Sequence, residues 1–364
     1  MAARDARIFN FSAGPACMPE EVLDQLAADL WSVRGSGIGI LEHSHRGPVF
    51  DGIIDDAVAS CRRVGGIPDD FEILFLQGGA TLQFVMLPMN FLPAGKTADY
   101  VDTGVWAHKA RKEAEKLGTV NTAFDGLPTK HTFCPSDAEL KLTDGAAYVH
   151  YCSNNTIYGT RFPKAPSVKA PLVCDMSSEM FARPIDWSRH VMAYAGAQKN
   201  LGPSGVVLVV IRKDFLATAK KDLPGILSYQ EHAKNGSRLN TPNTFGIHCM
   251  GLMFKWIEKQ GGLTAMARRN DEKAKVIYDA VDGSGGFYKA PARPDCRSVM
   301  NLVFRCHTEE LDKKLLKEAD AARMDGLKGH RDAGGLRASI YNAFPKAGCE
   351  ALAQFMKEFA RRNG

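Results

Sequence analysis

Residues 170–205 read APLVCDMSSEMFARPIDWSRHVMAYAGAQKNLGPSG, and this stretch decides the fold. One apolar run, 170–174, delivers Asp175 at its end, and a second apolar run after Trp187 delivers Lys199. We interpret both runs as strands of a parallel sheet. The carboxyl ends of neighbouring parallel strands meet at one edge, so an acid and a lysine are expected there together.

A lysine and a carboxylate in this arrangement meet the chemical needs of pyridoxal phosphate. The lysine amine bonds to the cofactor, and the carboxylate keeps the pyridine nitrogen protonated so that the ring accepts electrons. Burial beside cationic groups would also help Lys199 to lose its proton. Asp175 alone is more often a turn residue, and Lys199 alone is more often a solvated lysine, so the interpretation depends on further motifs.

Composition is that of an ordinary soluble enzyme. The chain has 364 residues, a length sufficient for two or three domains. Of these residues 45% are hydrophobic and 24% are charged. A net charge of +5 is small at this size and gives no reason to expect nucleic acid as a partner. The nine cysteines are scattered, so we expect reduced thiols and a cytoplasmic location. Residues 1–7 do not resemble a signal peptide, and no apolar run approaches a membrane span.

Strands and helices alternate along the first 250 residues, which predicts an α/β fold with a mostly parallel sheet covered by helices on both faces. We predict strands at 71–77, 99–103, 146–151, 206–212, 299–306 and 336–341, the direction of 206–212 being open. We predict helices at 18–33, 51–64, 82–87, 109–118, 247–259, 263–282, 311–324 and 349–362. The ligand site should lie outside the carboxyl ends of the strands.

Three further candidates fall at that edge. The strand 71–77 runs into Gly78-Gly79-Ala80-Thr81 and a helix, an arrangement that presents backbone N–H groups to a phosphate, although a Gly-Gly pair alone is more often a tight turn. Trp106 follows a strand end, where it could cover a flat ring or simply belong to the core. Thr156 lies in a polar loop and could reach a cofactor oxygen or serve only the turn.

Two basic segments are candidates for binding an anionic substrate. The first, 41–48, contains His43, His45 and Arg46; a guanidinium beside two histidines makes a poor metal site, so we predict no metal there. The second, 328–337, spaces basic groups with glycines and is a plausible anion clamp. For both segments the alternative is a solvated surface loop.

Several motifs also resemble those of one known family. They are FNFSAGPA at 9–16, SHRG at 44–47, GGA at 78–80, AQKNLGPSG at 197–205, and GHR at 329–331 followed by GGLRASIYNA at 334–343. Together they resemble the phosphoserine aminotransferases, and the resemblance runs from residue 8 to the last helix. It implies a class V, fold-type I transferase with a large sheet domain and a smaller C-terminal α/β domain. We place an N-terminal arm that packs with the small domain at 1–17, the large cofactor-binding domain at 18–261 and the small domain at 262–364.

The resemblance also implies roles for residues. Lys199 and Asp175 would be catalytic, with Lys199 moving a proton and Asp175 binding the ring nitrogen. The implied contacts with pyridoxal phosphate are Ala80, Thr81, Trp106, Thr156, Asp175, Gln198, Lys199, Asn240 and Thr241. Among these, Asn240 and Thr241 would come from the partner subunit of a homodimer with shared active sites. The substrate carboxylate would bind Arg337, and the substrate phosphate would bind His45, Arg46, His330 and Arg331.

The reaction implied by the resemblance is reversible transfer of an amino group from L-glutamate to 3-phosphohydroxypyruvate, giving O-phospho-L-serine and 2-oxoglutarate for serine biosynthesis. Some relatives also form 4-phosphohydroxy-L-threonine for pyridoxine biosynthesis, and the sequence leaves that activity open. Two alternatives stay open as well: another class V aminotransferase of the serine-pyruvate or alanine-glyoxylate type, and a non-catalytic binder of pyridoxal phosphate or a metabolite. Preference for alanine over phosphoserine would indicate the first, and bound cofactor without transamination the second.

Overall fold

The computed structural model describes residues 7–364, so the predictions for residues 1–6 lie outside its range. Its strands are β1 Phe9–Asn10, β2 Phe71–Gln77, β3 Thr97–Asp102, β4 Thr119–Asp125, β5 Val149–Cys152, β6 Leu172–Asp175, β7 Met192–Gly196, β8 Val206–Arg212, β9 Tyr288–Lys289, β10 Asn301–Cys306, β11 Met324–Asp325 and β12 Leu336–Ser339. Seven of them form one sheet in the order β2-β8-β7-β6-β5-β3-β4. The ends of its strands position Asp175, Lys199 and the Ala80 turn.

The seven-stranded sheet is mostly parallel, as the sequence predicts. Strands β3 to β7 pair in parallel, and β8 runs antiparallel to both of its neighbours, β7 and β2. The direction of 206–212, which the sequence left open, is therefore antiparallel. Alternate side chains of β8 enter the two cores on opposite faces of the sheet, Leu208 and Val210 on one side and Val207 and Val209 on the other. The predicted α/β class is confirmed.

Helices cover both faces of this sheet, and other helices pack against a smaller, three-stranded sheet. Their bounds are α1 Glu20–Asp29, α2 Pro48–Gly65, α3 Ala80–Phe91, α4 Val105–Glu115, α5 Lys213–Ala217, α6 Tyr229–Lys234, α7 Thr244–Lys259, α8 Gly262–Asp282, α9 Glu309–Ala321 and α10 Lys346–Asn363. Apolar residues of α2 and α7 lie in the core on one face, and those of α3 and α4 lie in the core on the other. Within residues 7–364 no helix is long and apolar enough to cross a membrane.

The C-terminal part of the chain builds its own core. Strands β12, β10 and β9 form a three-stranded antiparallel sheet, and α9 and α10 pack in the same apolar cluster. The N-terminal strand β1 pairs in parallel with β11, and Phe11 lies in this cluster. Helix α8 joins the two parts, because Leu263 and Met266 lie in a core of the large sheet whereas Ala274 and Ile277 lie in the C-terminal core.

Several element predictions have the right type and wrong ends; the predicted helix 311–324, for example, ends at Ala321, and Met324 begins β11. The predicted helix 18–33 ends at Asp29, and the chain then folds back so closely that a Cβ on Gly39 would lie 2.0 Å from the Leu30 carbonyl oxygen. The predicted helix 109–118 starts already at Val105, which puts Trp106 in its first turn. Strand β4 was not predicted, because most of its side chains are exposed or half-buried at the sheet edge and lack an apolar pattern.

Two buried tyrosines, Tyr100 on β3 and Tyr148 directly before β5, offer a test of this packing. The hydroxyls of Tyr100 and Tyr148 lie 2.9 Å apart and both side chains are buried. We expect Tyr100→Phe and Tyr148→Phe each to lower the free energy of unfolding by about 1–3 kcal/mol, because each leaves the other hydroxyl without a partner. The double variant should lose less than the sum of the two. Urea unfolding at one fixed protein concentration measures this; strictly additive losses would contradict it.

Candidate active site

The acid and the lysine lie at the same edge of the large sheet. Asp175 is the last residue of β6, and Lys199 lies three residues past Gly196, the last residue of β7, which pairs with β6 in parallel. The N–H of Met176 donates to the Tyr194 carbonyl at 2.9 Å and ties the two strand ends together. The structure therefore brings these two predicted residues to the carboxyl ends of adjacent strands.

Burial dominates the chemistry of Lys199. It lowers the pKa of the amine below its ordinary value, because the charged form loses its hydration. The carboxylate of Asp175 and the thiol of Cys152 act in the opposite direction, and the Arg337 guanidinium lowers the pKa further. An amine in this setting gives up its proton more easily than a lysine in water, as a nucleophile or a proton carrier must.

Asp175 is oriented through one of its oxygens. Its Oδ1 accepts hydrogen bonds from the Ser177 N–H at 2.9 Å and from the Ser177 hydroxyl at 2.6 Å. The Gly196 N–H of β7 in turn donates to Ser177 Oγ at 3.0 Å. Within the described part of the chain no hydrogen bond reaches Oδ2, so this oxygen remains available to a protonated ring nitrogen.

Trp106 and Thr156 form one side of the site. The Nζ of Lys199 lies 5.1 Å from the centroid of the Trp106 ring. The indole Nε1 donates to Thr156 Oγ1 at 3.1 Å, and the Thr156 carbonyl accepts from Arg337 Nη1 at 3.0 Å. This chain of hydrogen bonds connects the large sheet to β12 of the C-terminal sheet.

The predicted phosphate turn has the expected geometry. Gly79 is extended and leads into α3 without a side-chain cap, and across residues 7–364 the N–H groups of Ala80 and Thr81 have no acceptor. Such free N–H groups at a helix N-terminus attract an anion. Gln198 is adjacent to Lys199, and its carbonyl accepts from the Ala16 N–H at 2.9 Å.

The loop with Asn240 and Thr241 lies beside the strand that leads into this turn. Asn240 Nδ2 donates to Gln77 Oε1 at 3.1 Å, and the Thr241 carbonyl accepts from Gln77 Nε2. Gln77 is the last residue of β2. Both contacts are therefore made to the same chain and not directly to the turn.

Arg337 is prepared for an anion. It lies on β12, and burial lowers its pKa while Tyr341 opposes that shift. Its Nε is buried and has no hydrogen-bond partner among the described residues. A buried guanidinium N–H without an acceptor is costly, and a carboxylate is the acceptor that fits its fork.

The other basic residues are less enclosed. His330 is half-buried; burial lowers its pKa, Asp332 opposes the shift, and Arg337, Arg331 and Lys109 add to it. The side chain of Arg331 is 87% exposed. The structure thus places His330 towards Arg337 and leaves Arg331 in solvent.

His45 and Arg46 stand apart from these residues. Arg46 is exposed, and within residues 7–364 neither side chain has a hydrogen bond or ion pair with another predicted site residue. His45 Nε2 is buried without a partner. The described residues contain no group of three or more His, Cys, Asp or Glu side chains that could hold a metal ion.

Two residues near the site were missed by the sequence reasoning. Cys152 ends β5 beside Asp175, and its proximity to Lys199 depends on strand order, which the sequence does not display. Lys109 places its Nζ 4.8 Å from the centroid of the Trp106 ring. The spacing of Trp106 and Lys109 on a helix could have revealed the second contact, because residues three apart share a face.

The groups present fit pyridoxal phosphate. The free N–H groups of Ala80 and Thr81 suit its phosphate, and the unengaged Oδ2 of Asp175 suits its ring nitrogen. The indole of Trp106 offers a flat surface beside the buried amine of Lys199. The phosphate, the ring nitrogen and the ring face of the cofactor each have a suitable group among the described residues.

Comparisons with known proteins agree with this site. Residues 8–352 match the family description "Aminotransferase class-V". The phosphoserine aminotransferase of Lysinibacillus sphaericus is 49% identical over 358 residues, which is 98% of this chain and 99% of that protein. The solved phosphoserine aminotransferase from Bacillus circulans subsp. alkalophilus superimposes with a TM-score of 0.96 at 47% identity, covering 98% of this chain and 99% of that one.

A pyridoxal-phosphate-bound phosphoserine aminotransferase from Trichomonas vaginalis superimposes with a TM-score of 0.93 at 40% identity, covering 96% of this chain and all of that one (100%). These similarities extend over nearly the whole length of each protein. The chain therefore belongs to the class V aminotransferases, and within them to the phosphoserine aminotransferase family.

Proposed function

We propose that this chain is a pyridoxal-phosphate-dependent aminotransferase that moves an amino group reversibly from L-glutamate to 3-phosphohydroxypyruvate, giving O-phospho-L-serine and 2-oxoglutarate in serine biosynthesis. The observation that carries the proposal is the buried Lys199 amine just past the end of β7, beside the strand that ends in Asp175, with its pKa influenced by both the Asp175 carboxylate and the Arg337 guanidinium. Those groups supply a proton carrier, an acid for the cofactor ring and a binding point for a carboxylate. The family of the chain supports the same reaction.

The predicted cofactor contacts divide among the parts of pyridoxal phosphate. When bound, the cofactor supplies a carbonyl carbon for amines and an electron-accepting ring. Ala80, Thr81 and Gln198 would hold its phosphate, together with Asn240 and Thr241 of a second copy. Trp106 would lie on the ring, Thr156 would donate to the phenolic oxygen, and Asp175 would bind the ring nitrogen.

The chemistry of the chain itself is a proton transfer by Lys199. In the first half-reaction its neutral amine takes the proton from the α carbon of the amino acid. In the second it returns a proton to the α carbon of the incoming oxo acid. Burial supports this role because it lowers the pKa of the amine. Ser177 holds Asp175 Oδ1 through two hydrogen bonds, which would leave Oδ2 to bind the ring nitrogen.

Two separate anion sites explain the choice of substrate. Arg337 would bind the α-carboxylate that all substrates share, through an Nε that now lacks an acceptor. His330 and Arg331 would bind the distal phosphate of phosphoserine, or the side-chain carboxylate of glutamate. The phosphorylated precursor of 4-phosphohydroxy-L-threonine carries the same two anionic ends, so we include that reaction of pyridoxine biosynthesis in the proposal.

We further propose a homodimer in which His45 and Arg46 of a second copy complete the phosphate site. Support comes from their separation from the other site residues of the same chain. An exposed apolar surface also lies close to them in sequence, with Trp31 82% and Leu41 67% exposed. Apolar surfaces of this kind commonly mark an interface between proteins.

The domain boundaries and the location complete the proposal. We propose an arm at 1–17, a large domain at 18–261 and a small domain at 262–364, supported by the separate C-terminal core and by the position of Phe11 within it. We propose a cytoplasmic location, supported by nine free thiols.

Substrate choice gives the first test. Mixed with O-phospho-L-serine or L-glutamate, the holoenzyme should lose its visible absorption band about 100-fold or more faster than with L-alanine, because alanine has no distal anion for the basic residues. The variant His330→Ala should slow the reaction with phosphoserine and leave the slow reaction with alanine unchanged. Stopped-flow absorbance measures all five rates. A faster reaction with alanine would exclude the phosphoserine assignment and favour the alanine-glyoxylate type.

Replacement of the lysine tests the mechanism. We expect Lys199→Ala to lower turnover by at least about 100-fold, because a positioned proton carrier contributes at least that much. Some cofactor should remain bound, since the phosphate and ring contacts persist. Turnover and acid-released pyridoxal phosphate are the measurements, and Lys116→Ala, at the exposed lysine that directly follows α4, is the control. Full activity of Lys199→Ala would refute the mechanism.

Mixing two inactive variants tests the shared site. If Arg46 acts across the dimer, co-refolded Arg46→Ala and Lys199→Ala chains form a heterodimer with one intact site. Activity should then recover to about a quarter of wild type, since about half of the dimers are mixed and half of their sites are intact. Transamination is measured before and after mixing. No recovery, with mixed dimers shown by two affinity tags, would place Arg46 in the site of its own chain.

A further inference from the structure

Helix α8 carries a lysine that the proposed reaction does not use. Lys273 is fully buried, with 0% exposure. Its Nζ donates to the carbonyls of Ile340 at 2.9 Å and Tyr341 at 2.7 Å. The carbonyl oxygens of Phe344 and Asn342 also lie close, at 3.3 and 3.5 Å. The Lys273 amine thus lies within hydrogen-bonding distance of most carbonyl oxygens of residues 340–344, the buried segment that follows β12.

The 340–344 segment needs such a donor. It is neither helix nor strand, so its buried carbonyls cannot all find partners within regular structure. Burial lowers the pKa of Lys273 to about 7; Arg269 acts in the same direction, and the thiols of Cys349 and Cys17 oppose it. The amine keeps N–H donors in either protonation state. An ammonium has three N–H donors and a neutral amine has two, so the two shortest contacts, to the Ile340 and Tyr341 carbonyls, can be made in either state.

The middle of the segment is joined to the residue after the catalytic lysine. The Asn342 N–H donates to Asn200 Oδ1 at 3.0 Å, and Asn200 directly follows Lys199. The Asn342 side chain accepts from Asn270 Nδ2 at 2.8 Å, and Asn270 lies one turn before Lys273 on α8. Helix α8 therefore holds the segment at two points, and the segment holds Asn200.

The beginning of the segment is joined to the arginine that binds the carboxylate. Arg337 lies in β12, and the segment continues directly from that strand. The Ile340 N–H donates to the Met300 carbonyl at 2.8 Å, which keeps the strand end against the C-terminal sheet. A short piece of backbone thus spans the distance from Arg337 to the Asn342–Asn200 contact.

We propose that Lys273 is a positioning residue for transamination: by fixing the 340–344 segment, it sets the separation between the Lys199 amine and the Arg337 guanidinium. The inference rests on the proposed function, because it assigns that separation a role in placing the α carbon against the amine. Lys273 would affect how the Lys199 amine and the Arg337 guanidinium are aligned, since it contacts neither of them. Misplacement of reacting groups by about 1 Å can cost about 100-fold in rate.

The test replaces Lys273 with methionine, which has a similar length and no donor. We expect kcat per bound pyridoxal phosphate to fall about 10- to 100-fold with O-phospho-L-serine. The dissociation constant of inorganic phosphate, measured by calorimetry on the holoenzyme, should stay within about twofold, because the distal anion site does not depend on the segment. Lys275→Met is the matched control, since Lys275 is exposed on the same helix and pairs with Asp279. It should behave as wild type.

A second variant keeps the inference testable if Lys273→Met does not fold. Asn200→Ala keeps the contacts of Lys273 and removes the Oδ1 that accepts from the Asn342 N–H, so it breaks the hydrogen bond that joins the segment to the residue after Lys199. It should show the same fall in kcat with unchanged phosphate binding. A folded variant, judged by circular dichroism, whose kcat per bound cofactor stays within about twofold of wild type would overturn the inference. Absence of transamination in the wild-type protein would instead overturn the proposed function.

Discussion

The site depends on keeping one lysine amine out of water beside a carboxylate. Burial lowers the pKa of Lys199, whereas Asp175 opposes this shift, so the position of the carboxylate has to be controlled. Adjacent parallel strands provide that control. Asp175 ends one strand and Lys199 follows the next, and Ser177 fixes Asp175 through Oδ1 while bonding to the N–H of Gly196. The sheet edge therefore sets both the placement of the two groups and the lowered pKa of the Lys199 amine.

The second constraint is that substrate binding draws on the other sheet. Arg337 belongs to β12, yet its Nη1 donates to the carbonyl of Thr156 in the large part of the chain, and Thr156 accepts from Trp106. A shift between the two cores would therefore change the distance between the carboxylate and the catalytic amine. The contact of Asn342 with Asn200 crosses between the same two parts. These hydrogen bonds explain why a residue as remote as Lys273 can influence alignment.

Sequence reasoning succeeds where a signal is local. The strand at 71–77 and the residues at the ends of β6 and β7 were predicted because apolar runs end in polar residues there. It fails where partners are distant in sequence. Strand order determines three features that were missed or left open: the direction of 206–212, the edge strand β4 and the proximity of Cys152 to Lys199. The carbonyls around Lys273 come from a segment far along the chain. Predictions of helix ends can fail for a local reason. The chain folds back after α1, and its close approach to Leu30 requires a glycine at position 39.

The two anion sites differ in a way that bears on substrate choice. Arg337 is half-buried, with its Nε enclosed and its Nη1 already held by the Thr156 carbonyl, so it would present a preformed site for the α-carboxylate that both amino donors share. His330 is half-buried and Arg331 almost fully exposed, so the distal site has freedom to adjust. Phosphoserine and glutamate differ only at this distal end, in length and in charge. In the proposed reaction, a preformed carboxylate site combined with an adaptable distal site would let both half-reactions place the α carbon at the same point beside Lys199. Discrimination against substrates without a distal anion would then arise at the distal site.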